Sequence, residues 1–292
     1  MTGTVTDLTV RSLAGLTDLE VERTKYRGHA RELAAATAAE LVIVLGGDGS
    51  INEVVNGIMS RPAGDAKPLV AVIPGGGANV LARGLGLPVD TAAALRRVQQ
   101  VIAAGRYQTI GLGLAADRYF TFSAGLGMDA EVVREVERLR GEGRRESASL
   151  FFRAMMRQYY RGTDRRRPAL TLERDGQPPV GELFMTIITN RSPWTYLRGR
   201  PLLPVPNPDF NSGLDMLALR RIRLTTIVNV VGQMLYLRSR PPRGRDFVSV
   251  LGSESLTIRS ARPIAFQADG EYLGETETVK FQFVPRALRI VA

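Results

Sequence analysis

Two short runs of uninterrupted apolar residues, Leu41–Leu45 and Leu69–Ile73, stand out in the first half of the chain. An internal parallel strand covered on both faces reads in this way. Each run ends in glycine: Gly46-Gly47-Asp48-Gly49-Ser50 follows the first and Pro74-Gly75-Gly76-Gly77 the second. Behind the first loop Ile51, Val54, Val55 and Ile58 recur at helical spacing, and behind the second a helix opens at Asn79–Leu85. Two strand, glycine-loop, helix units predict an open, mostly parallel α/β sheet whose ligand lies at the carboxyl ends of its strands. Upstream, Asp18–Arg23 reads as a strand and Gly28–Ala39 as a helix, preceded only by a short stretch from Thr2 to Leu16.

Beyond residue 112 the pattern changes. Arg118–Ala124, Ala169–Arg174, Leu183–Thr189, Leu214–Leu219, Ser255–Arg259 and Thr278–Phe283 are β-like runs separated by Gly, Pro and Asp turns. They predict an antiparallel β-rich domain over residues 113–292 after an α/β domain over 1–112, with a last strand, Ala287–Val291, returning to the first domain. Helical spacing marks Glu131–Arg140, Ser149–Tyr160 and Thr225–Arg238; in the last, Ile227, Val228, Val231, Met234 and Leu235 form a stripe that reads as core.

Composition narrows the chemistry. The 292 residues include no cysteine and one histidine, His29, which removes disulfides, thiolate nucleophiles and Cys-ligated zinc and disfavours a Ser-His-Asp triad. Carboxylates, hydroxyls and backbone amides remain. The net charge of +10 favours a polyanionic partner, and only Lys25, Lys67 and Lys280 among the 39 basic residues are lysine. Arginine suits bidentate contact with phosphate. No nucleic-acid-binding signature accompanies the charge, so nucleic acid is not an expected partner.

The longest uncharged apolar helix candidate, Leu224–Leu237, falls short of the roughly 20 residues of a membrane span. The expectation is a cytoplasmic protein whose membrane contact is peripheral. Arg134–Arg167 holds eleven arginines against five acids, with Phe151, Phe152, Met155, Met156, Tyr159 and Tyr160 among them. That spacing fits an interfacial helix on an anionic membrane, and equally a solvated basic face with its aromatics buried against the β domain.

A glycine turn leading into a helix N-terminus gathers unpaired N–H groups around one anion. Ordinary tight turns would look alike, but a carboxylate inside the first loop repels phosphate unless a cation intervenes. Asp48 therefore points to a magnesium–nucleotide site.

The loops belong to a longer ordered set. Gly46-Gly47-Asp48-Gly49-Ser50 with Asn52-Glu53 and Asn56-Gly57 resembles the GGDGT-x-NE-x-x-NG signature of the diacylglycerol kinase catalytic domain. Thr24 with Gly28-His29-Ala30, Pro74–Pro88, Phe122–Val132 and Gln267–Gly274, which contains Asp269-Gly270-Glu271, are similar to further elements of that family. The resemblance implies a fold like that of diacylglycerol and NAD kinases and an ATP-dependent lipid kinase with its site in the cleft between domains. The acceptor would be the hydroxyl of diacylglycerol or a related long-chain alcohol, and ATP and Mg²⁺ the cofactors. The alternatives are a non-catalytic nucleotide or lipid binder and an NAD-kinase-like small-molecule kinase.

By motif match, Gly46, Gly47, Gly49, Ser50, Gly75, Gly76, Thr24, Glu53 and Asn79 would hold the nucleotide. Asp48 would act through magnesium, Asp215 would ligate a structural metal, and Glu271 would be the general base with Asp269 as fallback. For Asp269 and Glu271 the alternative is a hairpin turn with solvated carboxylates. A homodimer is among the arrangements implied. Two departures from the family pattern are visible: Gly77 and Val80 stand where relatives carry a hydroxyl and a carboxylate, and no NPxSG-type phosphate loop precedes Asp18. The family's first strand is therefore expected to be missing, with low stability or activity for the chain as written.

Overall fold

In the computed structural model, residues 3–15, 18–144, 147–191, 193–197, 199–206, 209–236 and 240–291 are described. Thr2, Leu16, Arg145, Leu237 and Arg238, which belong to segments discussed above, lie outside them. The chain divides into two units, Met1–Ile110 with Arg286–Ala292, and Gly111–Pro285.

The first unit runs α1 (Gly3–Leu13), α2 (His29–Ala36), β1 (Leu41–Gly46), α3 (Asp48–Met59), β2 (Leu69–Pro74), α4 (Val80–Gly84) and α5 (Thr91–Ala103). The apolar runs pair in parallel, with Ile43 opposite Ala71 and Gly46 opposite Pro74, so both glycine loops leave the same end of the sheet. Val70, Ala71, Val72 and Ile73 are fully buried. β2 is also paired in parallel at Ile290 and Val291, the last residues of a long strand that enters from the second unit. Helix α5 starts on Asp90, whose Oδ1 accepts from Ala93 N–H at 2.8 Å. Gly57 lets α2 and α3 touch: a Cβ there would lie 2.2 Å from the Arg31 carbonyl oxygen.

Two expectations for this unit need correction, and one stretch left unassigned acquires an element. Asp18–Arg23 forms no strand; Leu19 and Val21 are its only apolar residues, and no partner pairs with it. The opening stretch holds a helix, α1, whose Leu13 is 1% exposed. α3 begins at Asp48 itself, inside the glycine loop. Among the described residues β1 has β2 as its one strand neighbour.

The second unit runs β3 (Gln108–Ala115), whose first residues belong to the first unit, β4 (Arg118–Phe120), β5 (Ser123–Gly127), α6 (Met128–Gly141), α7 (Ala148–Arg157), a π-helical turn (Gln158–Gly162), β6 (Leu170–Arg174), β7 (Gln177–Leu183), β8 (Met185–Thr189), β9 (Thr195–Leu197), β10 (Arg200–Leu202), β11 (Leu214–Leu219), α8 (Leu224–Tyr236), β12 (Phe247–Ser253), β13 (Ser255–Ala268) and β14 (Glu271–Val291). Its sheet is antiparallel in the order β14-β13-β5-β8-β11-β12, with β6 and β7 added on β13. Phe120, Leu126, Leu172, Ile188, Met216, Ile258, Phe266 and Phe281 from strands across it meet in one core. In α8 Ile227, Val231, Met234 and Leu235 of the expected stripe pack on apolar clusters together with Val230, while Val228 is 64% exposed and lies off the stripe.

Candidate functional site

The two glycine loops are joined by backbone and by one carboxylate. Gly75 N–H donates to the Gly46 carbonyl at 2.8 Å. A Cβ added to Gly76 would lie 2.6 Å from the Gly47 Cα, so the closest approach leaves no room for a side chain at Gly76. Asp48, in the first turn of α3, reaches across to α4: its Oδ2 accepts from Val80 N–H at 3.0 Å and its Oδ1 from Leu81 N–H at 3.2 Å. The carboxylate thus caps a second helix as well as opening its own, and the positive ends of two helix dipoles favour its charge.

Asn79 closes the second loop. At φ 48° it places Oδ1 2.9 Å from Gly76 N–H and Nδ2 2.8 Å from the Gly76 carbonyl, forming a closed amide ring. The amides of Gly75, Gly76, Val80 and Leu81 are therefore occupied within the protein. Those of Gly49 and Ser50 precede the first intrahelical bond of α3, Ile51 N–H to the Gly47 carbonyl, and retain the anion-binding character of a helix N-terminus. In the second loop the Gly75 and Gly76 amides are thus bonded within the protein, whereas in the first the Gly49 and Ser50 amides stand at a helix N-terminus.

Glu53 also has another task. Its Oε1 accepts from Gly28 N–H at 2.9 Å and its Oε2 from Ala30 N–H at 3.2 Å, so the signature glutamate fixes the start of α2. Thr24 lies on exposed irregular chain ahead of it. Asn52 and Asn56 are buried and bonded to each other, Asn56 Nδ2 to Asn52 Oδ1 at 3.0 Å.

The second unit holds the Asp269-Gly270-Glu271 turn between β13 and β14, and neither acid is a solvated hairpin residue. Asp269, at φ 48° and 4% exposed, accepts four hydrogen bonds. Its Oδ2 takes Thr121 N–H at 2.7 Å and the Thr121 hydroxyl at 2.8 Å; its Oδ1 takes Phe122 N–H at 3.0 Å and Ser123 N–H at 3.1 Å. A carboxylate so engaged is a structural lock and is withdrawn as a fallback base. Glu271 pairs through Oε2 with Arg118 Nη2 at 2.5 Å, with both side chains mostly buried. Tyr272 N–H donates to Glu137 at 2.9 Å, so the backbone is held on both sides of Glu271.

Two further residues bear on this turn. Gln267 donates to Asp129 Oδ2 at 2.7 Å and accepts from Gly270 N–H at 2.9 Å, linking the start of α6 to the turn. Burial pushes the Asp129 carboxyl up to about 6, against the smaller opposing effect of the Gln267 hydrogen bond. The Phe122–Val132 element contains Asp129, but only the fold shows it buried. Arg118 carried no sequence signal at all, since its partner is 153 residues away.

A raised carboxyl contributes stability that is complete below its ordinary value of 3.8 and is lost as the pH rises through about 6. Asp129→Asn removes that titration. The stability difference between variant and parent should therefore move by about 2 kcal/mol in the variant's favour from pH 4 to pH 8. Denaturant titrations at the two pH values read it directly, and a pH-independent difference would remove the buried charge from the account.

Asp215, 1% exposed, accepts from Gly252 N–H at 2.8 Å. No cluster of three or more His, Cys, Asp or Glu side chains suited to a metal occurs among the described residues. Magnesium held by one or two carboxylates and a substrate's phosphates would require no such cluster, and Asp48 is the carboxylate that stands in the first glycine loop, with both oxygens also accepting backbone N–H groups.

Residues 6–113 match the model of the diacylglycerol kinase catalytic domain. A diacylglycerol kinase of Staphylococcus carnosus is 30% identical over 245 residues, 81% of this chain and 71% of its own length. A diacylglycerol kinase of Bacillus subtilis is 26% identical over 253 residues, 84% of this chain and 76% of its own. A crystal structure of a diacylglycerol kinase from Bacillus anthracis superposes with a TM-score of 0.68 at 20% identity, covering 98% of this chain and 90% of that one.

Proposed function

Because the chain belongs to the diacylglycerol kinase catalytic-domain family, we propose that it transfers the γ-phosphoryl group of ATP to the hydroxyl of a membrane lipid, diacylglycerol or a related long-chain alcohol. The observation that carries this reading is the joined pair of glycine loops, with the amides of Gly49 and Ser50 at the head of α3 and the Asp48 carboxylate in the same turn. Phosphoryl transfer asks mainly for positioning and charge neutralisation, and this inventory supplies both.

The residues divide the work. Gly49 and Ser50 bind phosphate oxygens through their amides, and Gly76 and Asn79 keep the second loop in place behind them. Magnesium, when bound, would neutralise phosphate charge through Asp48. Glu271 takes the proton of the acceptor hydroxyl as its oxygen attacks the γ-phosphorus and the bond to ADP breaks. Arg118, Gln267 and Glu137 hold Glu271 and its turn.

The reading is tested by supplying labelled ATP and magnesium with fractionated membrane lipids, with NAD in a parallel reaction, and identifying products by mass spectrometry. A phosphorylated lipid is the expected product; label on NAD alone, or ATP binding without turnover, would overturn it. Asp48→Asn should abolish magnesium-dependent turnover, because a neutral amide balances a divalent ion poorly. Its Nδ2 would also face an N–H donor at the start of α4, so about 1–3 kcal/mol of stability should go with it. Normal turnover in that variant would remove Asp48 from the metal role.

A further inference from the structure

Helix α7 and the π-helical turn that continues it carry two neighbouring lines of side chains. Phe152, Met156 and Tyr160 follow at four-residue spacing, and Arg153, Arg157 and Arg161 run one position behind them. Phe152 is 59% exposed and Tyr160 63%. The helix is anchored by its other side, where Leu150 and Ala154 pack on Val136 and where Met155 and Tyr159 meet Met128 and Ile222. Burial therefore accounts for Tyr159 and leaves Phe152 and Tyr160 facing outward.

The charge on this surface is largely uncompensated. Residues 148–167 contain six arginines and one acid, Asp164. Arg157 lies 3.4 Å from Glu135, whereas Arg153 and Arg161 have no carboxylate partner among the described residues. Arg165 stacks 4.2 Å over the Tyr159 ring, keeping a further guanidinium beside the aromatic line.

We propose that this surface docks on an anionic bilayer, with Phe152 and Tyr160 entering the interface and Arg153, Arg157 and Arg161 meeting lipid headgroup anions. Exposed aromatics beside arginines are the composition of a helix lying in a membrane interface. A second copy seated on the same patch would bring like charges together, and a soluble polyanion would engage the arginines but leave the rings in water. The proposal rests on the lipid-kinase reading only for its use, as the place where the acceptor is met; the docking itself involves no phosphoryl transfer.

The test is sedimentation of the full chain with vesicles of phosphatidylcholine alone and of phosphatidylcholine mixed with phosphatidylglycerol, in the absence of ATP. Binding should require the anionic lipid and weaken with salt. Arg153→Gln with Arg161→Gln should lower the partition coefficient about 25-fold, about fivefold per arginine, and Phe152→Ser with Tyr160→Ser should lower it as well. Both double variants should keep the parent's melting temperature and its turnover of a short-chain, water-soluble acceptor. Equal binding to neutral vesicles, no binding, unchanged binding of the variants, or self-association of the chain through these aromatics would overturn the proposal. Vesicle binding that persists while no lipid is phosphorylated would sink the kinase reading and leave the docking surface standing.

Discussion

Glu271→Gln is expected to lower kcat by about 10²- to 10⁴-fold while ATP affinity stays close to that of the parent. The proton leaves the acceptor only as the hydroxyl attacks, so the interaction with the base is made in the transition state and contributes little to nucleotide binding. Glutamine keeps an oxygen able to accept from Arg118, which pairs with Glu271 at 2.5 Å. The turn itself is held through Gly270 and Tyr272 by groups outside the glutamate side chain. The mostly buried Arg118 guanidinium nevertheless loses a charged partner, so the melting temperature should fall, and the kinetic comparison is made at a temperature where the variant is folded. Steady-state kinetics beside nucleotide-binding calorimetry separate the two effects, and a variant with the parent's kcat ends the role of Glu271 as base.

Asp269→Ala, two residues away, should show the opposite signature. Removing that side chain leaves the N–H groups of Thr121, Phe122 and Ser123 without their acceptor in a buried site. Unsatisfied buried donors cost about 1–3 kcal/mol each, so a total of about 3–9 kcal/mol is expected for the three. Total stabilities of about 5–15 kcal/mol make this a large fraction, and a fall in melting temperature of roughly 6–36 °C follows at about 2–4 °C per kcal/mol for a unit of this size. Asp269→Asn, which keeps one accepting oxygen, should fall between. An alanine variant that melts with the parent would mean that those amides find other partners.

Much of the architecture was legible because buried parallel strands announce themselves as apolar runs. Leu41–Leu45 and Leu69–Ile73 became β1 and β2, and both loops follow them. α1 escaped because, among the residues whose side chains are described, its burial rests on Thr9 and Leu13, too few to make a stripe. β7 (Gln177–Leu183) escaped because two prolines and a glycine interrupt it, and an edge strand tolerates what a central one does not. The parts each motif residue plays were less legible than the motif. Glu53 serves amides 23 and 25 residues away, and Asp48 serves amides 32 and 33 away. Such partners are set by packing between elements, which no local pattern records. Polar types at fixed positions indicated a site, but not which of them would touch a ligand and which would hold the backbone that does.

The amide ring between Gly76 and Asn79, together with the reach of Asp48 to α4, means that the second loop is shaped by contacts internal to the protein. The conformational entropy of ordering that loop is spent during folding. Under the proposed reading, a nucleotide would meet a first loop whose support is already built, and little of its binding energy would be drawn off to order that support.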